Sequence, residues 1–195
     1  ITRARLNTEL LPETPELQAC RQALLTDLAL MRDLITDLLE SERLASPHAA
    51  LQREPTDLAA LATEVVAGLA GAPPIRLAVA PGLPLLALDR SRVRLLLRNL
   101  LDNALRHGGE SAVELEVQMA DGQVGFMVRD HGPGIADDDL QHLTERFWRN
   151  GQSGGCGLGL AIVQAIVQRC AGTLRFDSRS DGLRVLLQVP ARSGR

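Results

Sequence analysis

Asn99-Leu-Leu-Asp-Asn103-Ala-Leu-Arg106-His107 is the stretch from which the rest of the chain is read. Asn99, Asn103 and Arg106 follow at i, i+4 and i+7, so they share one face of a helix. Leu95, Leu96, Leu100 and Leu101 give that helix an apolar side for a core. Two carboxamides on one face offer neutral oxygen ligands. Mg²⁺ wants oxygen, keeps several waters and takes few protein ligands where phosphates supply the rest. A neutral amide holds such a metal without repelling the phosphates. Arg106 stands where it can meet phosphate charge through charge-assisted hydrogen bonds. Taken alone, the spacing also suits an ordinary polar helix face.

Two glycine-rich elements follow. Asp130-His-Gly132-Pro-Gly134-Ile135 comes at the end of an expected strand. Its glycines let the backbone turn and approach a ligand closely. An ionised carboxylate only accepts hydrogen bonds. Asp130 therefore suits the exocyclic amino group of adenine and repels the carbonyl that guanine presents at the same place. The second element, Gly155-Cys-Gly157-Leu158-Gly159-Leu160, leads into an expected helix over 158–171. Backbone N–H groups at a helix start attract phosphate. A dinucleotide-binding fingerprint is also glycine-rich but follows a strand in a βαβ unit. Here the preceding Asn150-Gly-Gln-Ser-Gly154 reads as a loop. Each element by itself is also met in plain turns and linkers.

In this order and spacing the three elements resemble the N box and the two glycine boxes of sensor histidine kinases. That family belongs to the ATPase superfamily that includes gyrase and mismatch-repair ATPases. Glu145-Arg146-Phe147-Trp148-Arg149 is similar to the family's F box, typically Glu-Arg-Phe-Tyr-Arg. The resemblance implies an α+β fold, a mixed sheet covered on one face by helices, and a site for ATP with Mg²⁺. It places Asn103 and Asn99 at the metal and Arg106 at the phosphates. His107 stands where the family often has Tyr, near adenine or ribose; it also suits a helix C-terminus before Gly108-Gly109. Asp130, Gly132, Gly134 and Ile135 are assigned to the adenine end. Gly155, Gly157, Leu158, Gly159 and Leu160 are assigned to the phosphates, and 150–154 to a lid. Phe147 is expected to anchor that lid in an apolar pocket, and Arg146 to reach the terminal phosphate as the catalytic cation.

The remaining sequence is organised around that domain. Residues 1–11 read as the end of a helix, Pro12 to Pro15 as a turn, and 16–44 as a long helix. In the long helix Leu17, Leu24, Met31 and Leu38 recur every seven residues, with Leu28 and Ile35 on the same stripe. Leu25, Leu34 and Leu39 widen it, which suits a helical bundle better than a two-stranded seam. The expected division is a partial dimerisation hairpin over 1–46, a linker over 47–56 and a catalytic domain over 57–192. Within the domain, Asp57 caps a helix over 57–70. Strands at 75–80 and 85–88 lie either side of Pro81-Gly82. A helix runs over 90–107. Strands at 112–119 and 123–130 flank Asp121-Gly122, a hairpin turn signal. A short helix over 137–149 opens on Asp137, Asp138 and Asp139, which complement its dipole rather than form a metal site. Final strands lie at 173–178 and 183–189.

Composition sets limits. The 195 residues are 45% hydrophobic, enough for a packed core, and carry a net charge of −3. With no Tyr, one Trp and three Phe, the chain has neither the basic face nor the stacking platforms of a nucleic-acid binder. Cys20, Cys156 and Cys170 make an odd set without a CxxC pair, which points to a reducing compartment. Cys156 reads as a small filler in the glycine loop. His48 and His142 read as surface residues. No apolar run reaches the length of a membrane span, and no signal peptide is visible.

The resemblance extends to partners. It implies a homodimer through helices 1–44, a response-regulator receiver domain as phosphate recipient, and no direct membrane contact by these residues. It makes the chain the cytoplasmic portion of a bacterial inner-membrane sensor. The family's phosphoacceptor His lies near the start of the first helix. The chain begins at Ile1 rather than Met and has no His there, so that segment is expected upstream. A hydrolysing ATPase of the same superfamily would place a Glu four residues before the metal-binding Asn; this chain has Asn99. A non-catalytic ATP-binding or dimerising module is the third reading. One departure from the family stands out. Its closing strand often begins Gly-Thr, whereas Gly182-Leu183 here lacks a hydroxyl that supports the adenine water network, so weaker nucleotide binding is expected.

Overall fold

The computed structural model describes residues 1–9, 15–45, 51–69, 73–149 and 157–190. They form two compact units, Ile1–Arg43 and Leu44–Arg195.

The first unit holds α1 (Thr2–Glu9) and α2 (Pro15–Ala45). Pro15 opens α2, where its missing N–H costs nothing. The expected turn over 12–14 lies outside the described residues. Leu17, Leu24, Met31, Ile35, Leu38 and Leu39 are all exposed along α2. Leu25 and Leu28 are half-buried, so among the described residues the heptad stripe is only partly covered within this unit.

The second unit begins with β1 (Glu54–Thr56) and α3 (Leu58–Gly68). Asp57 caps α3 as expected, its carboxylate accepting from the Ala60 N–H at 3.0 Å. β2 (Ile75–Val79) and β3 (Leu86–Leu88) come next, then α4 (Arg90–His107). Asp89 caps α4 through the Arg92 N–H at 3.1 Å, and its other oxygen accepts from the Gln52 N–H at 3.1 Å. β4 (Val113–Ala120) and β5 (Gln123–Arg129) form a hairpin. Its turn holds Asp121 at φ 51° and Gly122 at φ 71°, the paired positive angles of a type I′ turn. α5 (Asp137–Leu140), α6 (Gly159–Arg169), β6 (Thr173–Arg179) and β7 (Gly182–Pro190) complete the domain.

The five-stranded sheet has the order β2-β4-β5-β7-β6. The β2–β4 pair is parallel and the others are antiparallel, so the sheet is mixed. Val113, Leu115 and Val117 on β4 alternate with exposed or half-exposed residues; so do Val124, Phe126 and Val128 on β5 and Val185, Leu187 and Val189 on β7. Period-two burial of this kind means one covered face. α3, α4 and α6 cover it, with Leu58, Leu61, Leu97, Leu101, Ile162 and Ile166 buried against the sheet. The α+β architecture is the one expected.

Two local expectations need correction. Residues 54–56 are not linker but β1, paired antiparallel with β3 in a separate two-stranded sheet. Pro55 disguised it, yet proline is tolerated on an edge strand. Thr56 is buried there. Pro81-Gly82 therefore joins strands of two different sheets. The helix expected over 137–149 is one turn only, α5. Beyond it successive bonds reach back three residues, from His142 to Asp139 and from Glu145 to His142, and Phe147 turns to φ 67°. Such a chain bends instead of continuing a helix.

Candidate functional site: the polar face of the central helix and two glycine loops

α4 is amphipathic by construction. Its leucines point into the core, and this leaves Asn99, Asn103 and Arg106–His107 on the side away from it. Asn99 and Asn103 are half-buried, while Arg106 and His107 reach the surface. The Asn99 amide donates to the Leu95 carbonyl at 2.9 Å, which fixes the side chain with its oxygen toward Gly159.

Each end of this face meets a glycine loop. At the C-terminal end, a Cβ on Gly132 would lie 2.2 Å from the His107 carbonyl oxygen, and one on Gly108 would lie 3.0 Å from the Asp130 Cβ. Only glycine allows these two segments to touch. At the other end, a Cβ on Gly159 would stand 3.0 Å from Asn99 Oδ1, so the start of α6 abuts the first Asn. Asn103 lies one turn, about 6 Å of helix, from both Asn99 and His107. The N box thus runs as a track between the two glycine boxes.

Asp130 is 5% exposed at the end of β5. Its backbone N–H donates to the Leu183 carbonyl at 3.0 Å, extending the ladder with β7 by one step. Its Oδ1 accepts from the Gly132 N–H at 3.0 Å and from the Leu183 N–H at 3.1 Å. Its Oδ2 takes no hydrogen bond among the described residues, which leaves one acceptor for a ligand. The Leu183 contact comes from the backbone, so it survives the loss of the hydroxyl noted above. The Leu183 side chain is itself buried. Partial burial of the His107 ring holds its pKa below the usual imidazole value; nearby Asp130 opposes this and Arg106 adds to it. A neutral ring beside Asp130 can both donate and accept.

The remaining predicted residues divide. Gly134, at φ 73°, and Ile135 carry the first glycine loop over the end of β6. Gly157, Leu158, Gly159 and Leu160 form the entry to α6, with Leu158 and Leu160 buried. The Phe147 N–H donates to the Gly157 carbonyl at 2.9 Å, joining the F box to the second glycine box. Phe147 does not sit in an apolar pocket: its side chain is 62% exposed. Its positive φ turns the chain outward, and Trp148 packs against the core instead, stacked on His142 at 6.4 Å between ring centres. His142 also pairs with Glu145 at 2.8 Å. Arg146 is exposed beside this turn. Gly155, Cys156 and the expected lid lie outside the described residues.

No group of three or more His, Cys, Asp or Glu among the described residues could hold a metal. The donors on the α4 face are neutral amide oxygens, few in number, which fits an Mg²⁺ ion brought in by phosphates and not one held by the protein alone. No helix among the described residues is long and apolar enough to cross a membrane.

A family model described as "Histidine kinase-, DNA gyrase B-, and HSP90-like ATPase" matches residues 88–193, more than half of the chain. The chain belongs to that family. Within it the chain resembles sensor kinases. It is 34% identical over 169 residues to the sensor protein RstB of Escherichia coli, covering 83% of this chain and 39% of RstB. It is 37% identical to the sensor protein SphS of Synechococcus elongatus, covering 97% of this chain and 51% of SphS. The chain thus spans about half or less of these relatives. Full-length ShkA, solved in complex with AMPPNP, superposes with a TM-score of 0.82 at 28% identity, covering 98% of this chain and 42% of ShkA. The histidine kinase domain of the E. coli osmosensor EnvZ superposes at 0.59 with 30% identity, covering 77% of this chain and 95% of that one. This histidine-kinase-type ATPase domain is therefore an ATP-binding catalytic domain of the sensor kinase kind.

The sequence missed two parts of the site. One is the pair of backbone donors on the Asp130 carboxylate, which no side-chain motif can announce. The other is Ser178, whose Oγ accepts from the Ile135 N–H at 2.7 Å and donates to the Ile135 carbonyl at 2.9 Å. Leu174, Phe176 and Ser178 share one face of β6. A serine where that alternation asks for an apolar residue was the available signal.

Proposed function

We propose that this chain is the kinase core of a two-component sensor. It binds Mg-ATP along α4 and transfers the γ-phosphoryl group to a histidine of the parent protein that these residues do not include. That phosphohistidine then supplies an aspartate on a response-regulator receiver domain. Asp130 Oδ2 would accept from the adenine amino group, with His107 beside it at the purine or ribose. Asn103, with Asn99, would hold Mg²⁺ against the phosphates, and the ion would neutralise their charge. Arg106 would bind phosphate oxygens, and the glycines from Gly155 to Gly159 would present N–H groups to them. Arg146 would meet the terminal phosphate. Little covalent chemistry is asked of the protein, since positioning and charge neutralisation carry most of phosphoryl transfer.

The single observation that carries this reading is the α4 track, with Asn103 midway between a purine-type acceptor and a glycine-rich helix start. The amide of Asn99 is committed to the Leu95 carbonyl and has no basic oxygen to activate water, which disfavours the hydrolysing reading. The exposed α2 stripe supports a homodimer through the helical unit. The parent sensor is taken to be anchored in a bacterial inner membrane, with this portion on the cytoplasmic side.

Asn103→Asp tests the metal role. It keeps the shape and adds charge facing the phosphates. Calorimetry with Mg-ADP should show binding weakened by about tenfold or more, the scale of one lost charge-neutral contact. Unchanged affinity removes Asn103 from the metal.

A further inference from the structure

We infer that Ser178 is a positioning residue for the purine end of the site, because it fixes the far end of the loop that Asp130 begins. The inference rests on reading that loop as the adenine contact.

The geometry is a single row across three strands. Ser178 on β6 is the register partner of Leu183 on β7. Leu183 in turn makes two hydrogen bonds with Asp130, its carbonyl accepting from the Asp130 N–H and its N–H donating to the side-chain oxygen Oδ1. The loop leaves this row at Asp130 and returns to it at Ile135. There the Ser178 hydroxyl accepts a hydrogen bond from the Ile135 N–H and donates one to the Ile135 carbonyl, at 2.7 and 2.9 Å. One side chain thus satisfies both backbone groups of one residue, as a neighbouring strand would. Gly134 lies so close to β6 that a Cβ there would meet the Arg179 carbonyl oxygen at 2.0 Å and Ser178 Oγ at 3.1 Å. The loop is therefore docked at its return as firmly as at its departure.

Each end answers to the other. Gly132 N–H bonds to Asp130 Oδ1, so the carboxylate is aimed partly by the loop that follows it. Releasing Ile135 frees the segment 131–135 to pull Gly132 off that oxygen. Asp130 would then keep only the Leu183 donor, and Oδ2 would lose its fixed direction. A half-buried hydroxyl does this at low cost, because one atom both donates and accepts.

The experiment uses the whole 195-residue chain and Mg-ADP and Mg-IDP as probes, titrated by calorimetry. Ser178→Ala should weaken Mg-ADP binding about tenfold, the scale of one net hydrogen bond's worth of lost order. It should also reduce the preference for ADP over IDP, whose ring carries a carbonyl in place of the amino group. Ser178→Thr, which retains the hydroxyl, should restore both. A variant that merely loosened the fold would lower the number of binding sites and leave the ADP-to-IDP ratio alone. Ser178→Cys, close in volume and poor at both hydrogen bonds, carries the test if the alanine variant does not fold. An ADP affinity and ratio within twofold of the parent in the folded variant overturns the inference. Asp130→Asn separates the two claims. If it leaves ADP binding intact, the adenine reading fails; if it weakens binding while loss of the Ser178 hydroxyl does not, only the role of Ser178 fails.

Discussion

α2 and α4 are both leucine-striped helices, and they end in opposite conditions. In α4 the stripe is consumed within the domain: Leu97 and Leu101 are 0% exposed. In α2 Leu24 is 42% and Met31 50% exposed within a unit of two helices. A sheet supplies the partner surface for α4, and its opposite side is thereby fixed in place and left for polar residues. α2 has no such surface in its own unit. The same residue type therefore does two jobs, decided by what the neighbouring sequence can fold into. One stripe is closed off inside its own domain, and the other keeps exposed apolar positions within its unit.

The largest effect should come from the closed stripe. Leu101→Ala should destabilise the domain by about 2–5 kcal/mol through lost burial and a cavity, read as a lower urea midpoint. A cost under about 0.5 kcal/mol, the range of ordinary surface changes, would mean that α4 does not lean on the sheet. The open stripe should behave in reverse. The paired change Leu24→Glu and Met31→Glu should abolish self-association in sedimentation, in protein that contains the complete helical hairpin. It should leave the melting of the domain within a few degrees. A lower domain melting temperature with dimers intact would break the contrast between the two helices.

The smallest effect belongs to the polar face. Folded His107 takes up its proton at lower pH than the unfolded chain does, because partial burial resists the charge. Between those two values the unfolded state binds more protons, so domain stability should rise with pH through the window just below the ordinary imidazole value of 6.5. His107→Gln should flatten that slope in urea titrations run from about pH 5 to 7. An unchanged slope would show that the ring is not held in its neutral form.

Much of the fold was legible because period and punctuation agreed. α4 began and ended where its leucine spacing and the glycines after His107 said it should, and Asp121-Gly122 gave its hairpin. β1 was not legible, since three residues containing Pro55 carry no periodic signal and are recognisable as a strand only from their partner, β3. α5 was overestimated because three aspartates announce a helix start and say nothing of its length. In the site, side-chain motifs were readable and backbone work was not. The spacing of Asn99 and Asn103 could be turned into a shared face. The two N–H groups that aim Asp130 come from Gly132 and from a strand more than fifty residues later, and neither depends on a side chain. Phe147 was misjudged for a related reason: a positive φ reversed which of two adjacent aromatics faces inward.

The place of β7 has a consequence for how the protein is made. It is the final strand in the sequence, yet it sits inside the sheet, between β5 and β6. Until residues 182–190 have left the ribosome, β5 has an open edge and Asp130 lacks its second donor. A nascent chain cannot therefore fix the Asp130 carboxylate by stages. It must wait, with apolar strands unpaired, until β7 has followed β6 out, and this is the interval in which a chaperone would matter most.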